Sequence, residues 1–204
     1  MILSHPFIRT FVFAVLMPAC GGSGPVHEAV GPTEEALAGV WESECIDPGN
    51  GQAFQLVFDL TATDWVLDYT AFGDARCEAP NLTVHIEGPY TLGAASKVVD
   101  GAREGGFGFA RKFVTPHTEG AAGFLPQACG GGTFAVGVSA DITTGCPGLG
   151  AYPIEDCGTD HDIVHLAGNV LRFGARPADN DMCSPEKRPT ALGAPLKPQA
   201  VSDP

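Results

Sequence analysis

His117-Thr118-Glu119 sets an imidazole two residues from a carboxylate, a pairing suited to proton transfer or metal ligation. The same side chains could instead hold a loop by hydrogen bonds, and that is the simpler reading. His161 and His165 stand four residues apart, with Asp160 and Asp162 beside them, a donor set of metal-ligand type. Their segment reads as a strand, where the two rings share a face by the two-residue period, without the helix that makes such a pair useful. Asp179-Asn180-Asp181 opens like a calcium loop but lacks the later glycine and glutamate, and reads as a solvated turn. Ser43 and Ser184 have no nucleophile-elbow context. No residue is therefore given a catalytic or metal role, and no cofactor is expected.

The cysteines carry a stronger signal. Cys20 stands alone near the start, and Cys45, Cys77, Cys129, Cys146, Cys157 and Cys183 form an even set. The spacing is not that of a zinc site. In an oxidising compartment the six predict three disulfides. The expected pairs are Cys45 with Cys77, joining two early strands, and Cys146 with Cys157, closing a Gly/Pro loop. Cys129 and Cys183 remain as the third pair.

Residues 1–19 explain where that compartment is reached. Arg9 precedes an apolar run from Phe11 to Met17, far short of the roughly 20 residues that span a bilayer. The run has the size of a signal-peptide core. Met17-Pro18-Ala19-Cys20 followed by Gly-Gly-Ser-Gly resembles a bacterial lipobox, in which Cys20 carries the lipid. The expectation is an exported protein held in the cell envelope by lipid, at the outer membrane or surface, or otherwise secreted. Residues 20–36 then read as a lipidated cysteine and flexible tether. The sequon Asn81-Leu82-Thr83 would matter only in a eukaryotic secretory pathway.

Charge narrows the partners. Eleven Lys and Arg against 24 Asp and Glu give −13, with no basic cluster, so no nucleic-acid surface is expected. The same charge disfavours docking on an anionic bilayer, although a lipid anchor needs none. No phosphate-binding glycine motif is present.

The elements that must position these groups are strands. With 27 Gly and 17 Pro among 204 residues, long helices are excluded. Phe54, Leu56, Phe58 and Leu60 share one face, with Gln55 and Asp59 on the other, and Trp65, Leu67 and Tyr69 share one within 64–72, with Asp68 and Thr70 opposite. Leu82, Val84 and Ile86 alternate in turn, then Tyr90 and Leu92 beyond a Gly-Pro break. Phe107, Phe109, Arg111 and Phe113 read as one face of a single strand. Residues 133–142 read as another strand, and 163–166 with 170–173 as a hairpin about Gly168-Asn169. Residues 118–125 offer at most one helical turn, and the Pro- and Ala-rich tail 190–204 reads as disordered. The fold expected over 37–189 is all-β, an antiparallel closed or half-open barrel stabilised by disulfides, lipocalin-like in outline.

A family resemblance runs through 37–192. Gly39-Val40-Trp41-Glu42-Ser43-Glu44-Cys45 resembles the opening of the adenomatosis polyposis coli down-regulated domain. Phe54 to Phe58, Trp65, Tyr69, Asp74-Ala75-Arg76-Cys77-Glu78-Ala79-Pro80, Gly88-Pro89-Tyr90, His117-Thr118-Glu119 and 183–192 are similar to its later segments, in the same order. The best-known member is an extracellular, membrane-anchored Wnt inhibitor whose two half-open barrels capture a lipid chain. Here a single domain and an N-terminal anchor replace two domains and a transmembrane helix. The resemblance implies a barrel with an apolar cavity, and as partner a hydrophobic small molecule, a lipid chain or a lipid-bearing protein.

Inward-pointing Phe54, Phe58, Trp65, Tyr69 and Tyr90 are the candidate pocket residues; in a narrow barrel they would simply fill the core. Trp41 reads as core. The reading is a non-enzymatic barrel binding an acyl or lipid-like ligand. Its alternatives are a secreted enzyme using His117 or the His161/His165 pair, or a surface module that binds a protein.

Overall fold

The computed structural model describes residues 31–49 and 51–199. The expected leader 1–19, Cys20, the expected tether as far as residue 30 and residues 200–204 lie outside them. No helix among the described residues is long and apolar enough to cross a membrane.

The strands are β1 (Gly39–Ser43), β2 (Phe54–Leu60), β3 (Asp64–Phe72), β4 (Pro80–Ala95), β5 (Ala102–Gly108), β6 (Arg111–Pro116), β7 (Ala140–Asp141), β8 (Thr159–Ala167), β9 (Val170–Phe173) and β10 (Leu196–Pro198). Every pairing is antiparallel, in the order β3-β2-β1-β10-β9-β8-β5-β4, and β4 returns to β3. Eight strands thus close a barrel, as the all-β alternation predicts. Among the described residues two α-helices accompany it, α1 (Glu34–Leu37) and α2 (Glu119–Ala128).

The long β4 holds the architecture together. One edge pairs with β3; the other pairs with β5 across 90–95 and with β6 across 82–87. The Gly88-Pro89 step does not break this strand, contrary to the sequence reading. Gly88 is required there because a Cβ would stand 2.1 Å from the Gly108 carbonyl oxygen and 2.9 Å from the Ala110 nitrogen. Trp65 lies directly opposite Gly88 and donates its indole N–H to that Gly108 carbonyl at 2.9 Å.

The expected single strand through 107–113 is also corrected. Tyr90 pairs with Phe107 and Glu87 with Arg111, so three residues of one strand oppose two of β4. That extra residue is a β-bulge, which turns the following side chains over. Phe107 and Phe109 face inward, but beyond the bulge Lys112 and Val114 take the inner face, while Arg111 and Phe113 face out. Past this point β5 stays with β8, whereas β6 leaves to pair with β7, and the sheet splays into a wide end.

At the narrow end the core is full. Leu37, Trp41, Phe58, Leu60, Trp65, Tyr90, Phe107, Leu171, Phe173 and Leu196 form one apolar cluster. The Phe58 and Phe173 rings stack at 4.2 Å, and Trp65 meets Phe107 edge-on at 5.4 Å. Such pairs contribute about 0.5–1.5 kcal/mol each beyond their burial. Trp41 donates its indole N–H to the Leu37 carbonyl, which fixes α1 as the plug. The ordered domain therefore begins ahead of residue 37. Thr33 caps α1, Glu34 accepts from the Leu92 N–H, and Arg103 donates to the Pro32 carbonyl.

At the wide end α2 covers the splayed sheet. Thr118 caps it by accepting from the Ala121 N–H, and Leu125 is fully buried against Leu82, Val84 and Val114. This ten-residue helix exceeds the single turn expected from its glycines, because packing of Ala121, Leu125 and Ala128 outweighs their helix penalty. Of the predicted strand 133–142 only 140–141 pairs. Glycines at positive φ before it, Gly130 to Gly132 and Gly137, keep the chain out of extended structure.

The three disulfides join Cys45–Cys77, Cys129–Cys146 and Cys157–Cys183. The first matches expectation; the Cys146–Cys157 and Cys129–Cys183 pairings are corrected. Cys129 caps the C-terminus of α2, and the turn Pro147–Leu149 lies against that helix end, so Cys146 is its neighbour. Cys157 leads into β8, and the His161 N–H bonds the Met182 carbonyl, which brings Cys183 alongside. The Cys129–Cys146 bridge closes a separation of 17 residues, so the double Cys→Ala variant should lose about 3 kcal/mol of stability in urea titration. An unchanged midpoint would mean the bridge is absent.

Candidate functional site

Between the packed narrow end and α2 lies a cavity of about 820 Å³. That is within the range of about 300–1,000 Å³ that small-molecule sites occupy. Its floor comes from the inner faces of β3 and β4: Leu67, Tyr69, Ala71, Leu82, Val84 and Ile86. Phe54 stacks on Tyr69 at 5.3 Å along one wall, and half-exposed Phe124 of α2 stands at the rim. Burial pushes the Tyr69 phenol above its usual pKa, so it stays neutral.

Of the five residues predicted to line a pocket, Phe54 and Tyr69 do so. Phe58, Trp65 and Tyr90 pack into the narrow-end cluster instead. Alternation gave all five the same face; it could not say where along the barrel α1 seals the interior and where α2 stands off from it. The Tyr90 hydroxyl donates to the Thr61 carbonyl, and burial, aided by Glu34 and Glu35, pushes its pKa up to about 12.

Among the described residues that line the cavity, Lys112, Asp160 and Arg176 are the only charged ones. Lys112 and Asp160 are 3% and 5% exposed. The Lys112 ammonium donates to the Tyr152 carbonyl at 3.1 Å and sits 3.7 Å above the Phe109 ring, a cation–π contact. Arg176 pairs with Asp160 and donates to Asn180 at 2.9 Å. Burial lowers the Lys112 pKa, against the attraction of Asp160; it raises that of Asp160, against Arg176 and then Lys112. The rim is braced from behind: Asn180 donates to the Gly150 carbonyl and the Tyr152 hydroxyl to that of Asp179. Asn180 thus serves a turn, as its run of acidic neighbours predicts.

The histidines lie elsewhere. Asp160 lines the cavity and Val164 the core, so His161 and His165 occupy the outer face of β8. Asp162 accepts from the Ile163 and Gly174 N–H groups at 2.7 and 2.8 Å rather than joining a histidine. His117 Nε2 lies 2.8 Å from Thr83 Oγ1, and Thr83 in turn 3.0 Å from Thr70, across the outer face of the sheet. Sequence reasoning overlooked His85 on this face, whose Nδ1 is 2.7 Å from Asp68 and whose ring lies near Phe113. Among the described residues no group of three His, Cys, Asp or Glu side chains is placed to hold a metal. Ser43 is buried and accepts from the Leu56 N–H.

Lys112 and Arg176 were also missed. Lys112 turns inward only because of the bulge, which alternation does not register. Arg176 is brought to the cavity by the turn after β9. No family model and no curated protein matches the chain.

Proposed function

We propose that this chain is an exported, non-enzymatic barrel that holds a single acyl chain or similar lipid in its cavity, tethered to the cell envelope through a lipid on Cys20. The observation that carries the reading is the unfilled volume under α2, walled by aliphatic and aromatic side chains, in a barrel whose other end is packed solid. A barrel that served only as a scaffold would fill both ends with side chains. Three disulfides agree with an oxidising destination. The ordered segments that resemble the adenomatosis polyposis coli down-regulated domain favour the same class of ligand.

Burial of each methylene is worth about 0.8 kcal/mol, roughly fourfold in affinity. Displacement of a fluorescent apolar probe by the alkanols from decanol to tetradecanol should therefore tighten about fourfold per carbon. Ala71→Phe, which places a ring in the cavity, should weaken all of them by about tenfold, the equivalent of one to two methylenes. Native mass spectrometry of the purified chain with organic extraction would name a co-purified species. No probe binding and no extracted lipid would sink the reading.

A further inference from the structure

Lys112, Asp160 and Arg176 make the cavity chemically asymmetric. Around them the lining carries two cations and one carboxylate, while the rest of the floor is aliphatic and aromatic. The chain as a whole has a net charge of −13, so an excess of positive charge in this cavity runs against its composition. Asp160 already serves Arg176. The Lys112 ammonium has three N–H donors and, among the described residues, one hydrogen bond, to the Tyr152 carbonyl. Asp160 attracts this ammonium without hydrogen-bonding to it and is shared with Arg176, so two cations have one carboxylate between them, and a second anion beside Lys112 would complete the pairing. Arg176 is half-exposed at the rim and has a planar fork suited to a carboxylate.

We infer that the cavity takes an acyl chain ending in a free carboxylate, with the tail along β3 and β4 and the head between Lys112 and Arg176. This rests on the acyl-binding reading above and gives that ligand its head group. An esterified chain of equal length would fill the apolar part but offer Lys112 only a neutral carbonyl acceptor and no counter-charge.

The test compares laurate, methyl laurate and dodecanol as competitors of a neutral fluorescent probe. The full chain is used, with Cys20→Ser so that it carries no lipid of its own. Charge-assisted hydrogen bonds predict that laurate displaces the probe at about tenfold lower concentration than its methyl ester. Lys112→Met and Arg176→Gln should each remove most of that preference, because laurate loses much more affinity than the ester or the alcohol. Arg176→Gln, at the solvent-facing rim, carries the test if Lys112→Met does not fold. Equal displacement by acid and ester, or a preference that survives Arg176→Gln unchanged, overturns the carboxylate assignment while the acyl-chain reading stands. Failure of all three competitors overturns both.

Discussion

A chain ending at Pro189 should fail to fold cooperatively. The segment it loses looks dispensable in composition, yet β10 is the stave that closes the barrel. Residues 196–198 pair with β1, through Trp41–Pro198, Glu42–Lys197 and Ser43–Leu196, and Leu196 pairs with Leu171 of β9 on the other side. Leu196 is 1% exposed within the narrow-end cluster. The approach to β10 is pinned as well: the Ala175 N–H bonds Ala191, the Gly193 N–H bonds Phe173, and Arg172 donates to the Gly193 carbonyl. Truncation would leave β1 and β9 as open edges and expose Trp41 and Leu171, which invites aggregation. Loss of the near-UV circular dichroism and of a sigmoidal urea transition is the expected outcome. Leu196→Ala in the full chain, which removes only the buried side chain, should lose about 3 kcal/mol. A truncated chain with the full chain's transition would refute the closing role.

The tail also shows why composition misled at this position. Prolines and alanines normally mark loose ends, but a three-residue strand needs only one inward side chain, and Leu196 supplies it. Pro198 costs no ladder bond that the short strand depends on, since prolines are tolerated at strand ends. The strands 54–60 and 64–72 and the hairpin of 163–166 with 170–173 were legible because each turns alternate apolar side chains to the core, although Ile163 on the other face is buried as well. Gly168, at φ 60°, stands at the first corner of the predicted two-residue turn.

The site was much less legible, for a local reason. One residue inserted opposite Gly88 and Pro89 reverses the sense of every side chain beyond it. Read by simple alternation, Lys112 points to solvent and Phe113 to the core; the structure has the reverse. The only hint is the Gly108-Phe109-Ala110 run, where small residues allow a bulge without requiring one. Asp160 was visible as a carboxylate near two histidines, a donor set that the strand setting argued against as a metal site. Its true partner, Arg176, lies beyond the whole β8–β9 hairpin, and no spacing rule connects them.

Asp162 yields the second large effect, a dependence of stability on pH. Its carboxyl is fully buried between β8 and Gly174, and burial pushes its pKa up to about 7. Arg176 and the N–H groups of Ile163 and Gly174 pull the value down, while Asp160 adds to the rise. In the unfolded chain an aspartate titrates near 3.9. Below that pH both states hold the proton and Asp162 has no effect on stability. As pH climbs from about 4 to about 7 the unfolded chain releases its proton and the folded protein does not, so the fold loses stability throughout that window. Above about 7 both states are ionised and the loss is complete, on the order of 4 kcal/mol. Asp160, also raised by burial, adds a slope of the same sign. Asp162→Asn keeps an oxygen for the two backbone N–H groups and has nothing to ionise. Urea titrations should place the variant near the parent at pH 4 and well above it at pH 8, with most of the slope between removed. A parent whose stability rises over the same window, or a variant that keeps the full slope, would show that Asp162 is not the source of the pH dependence.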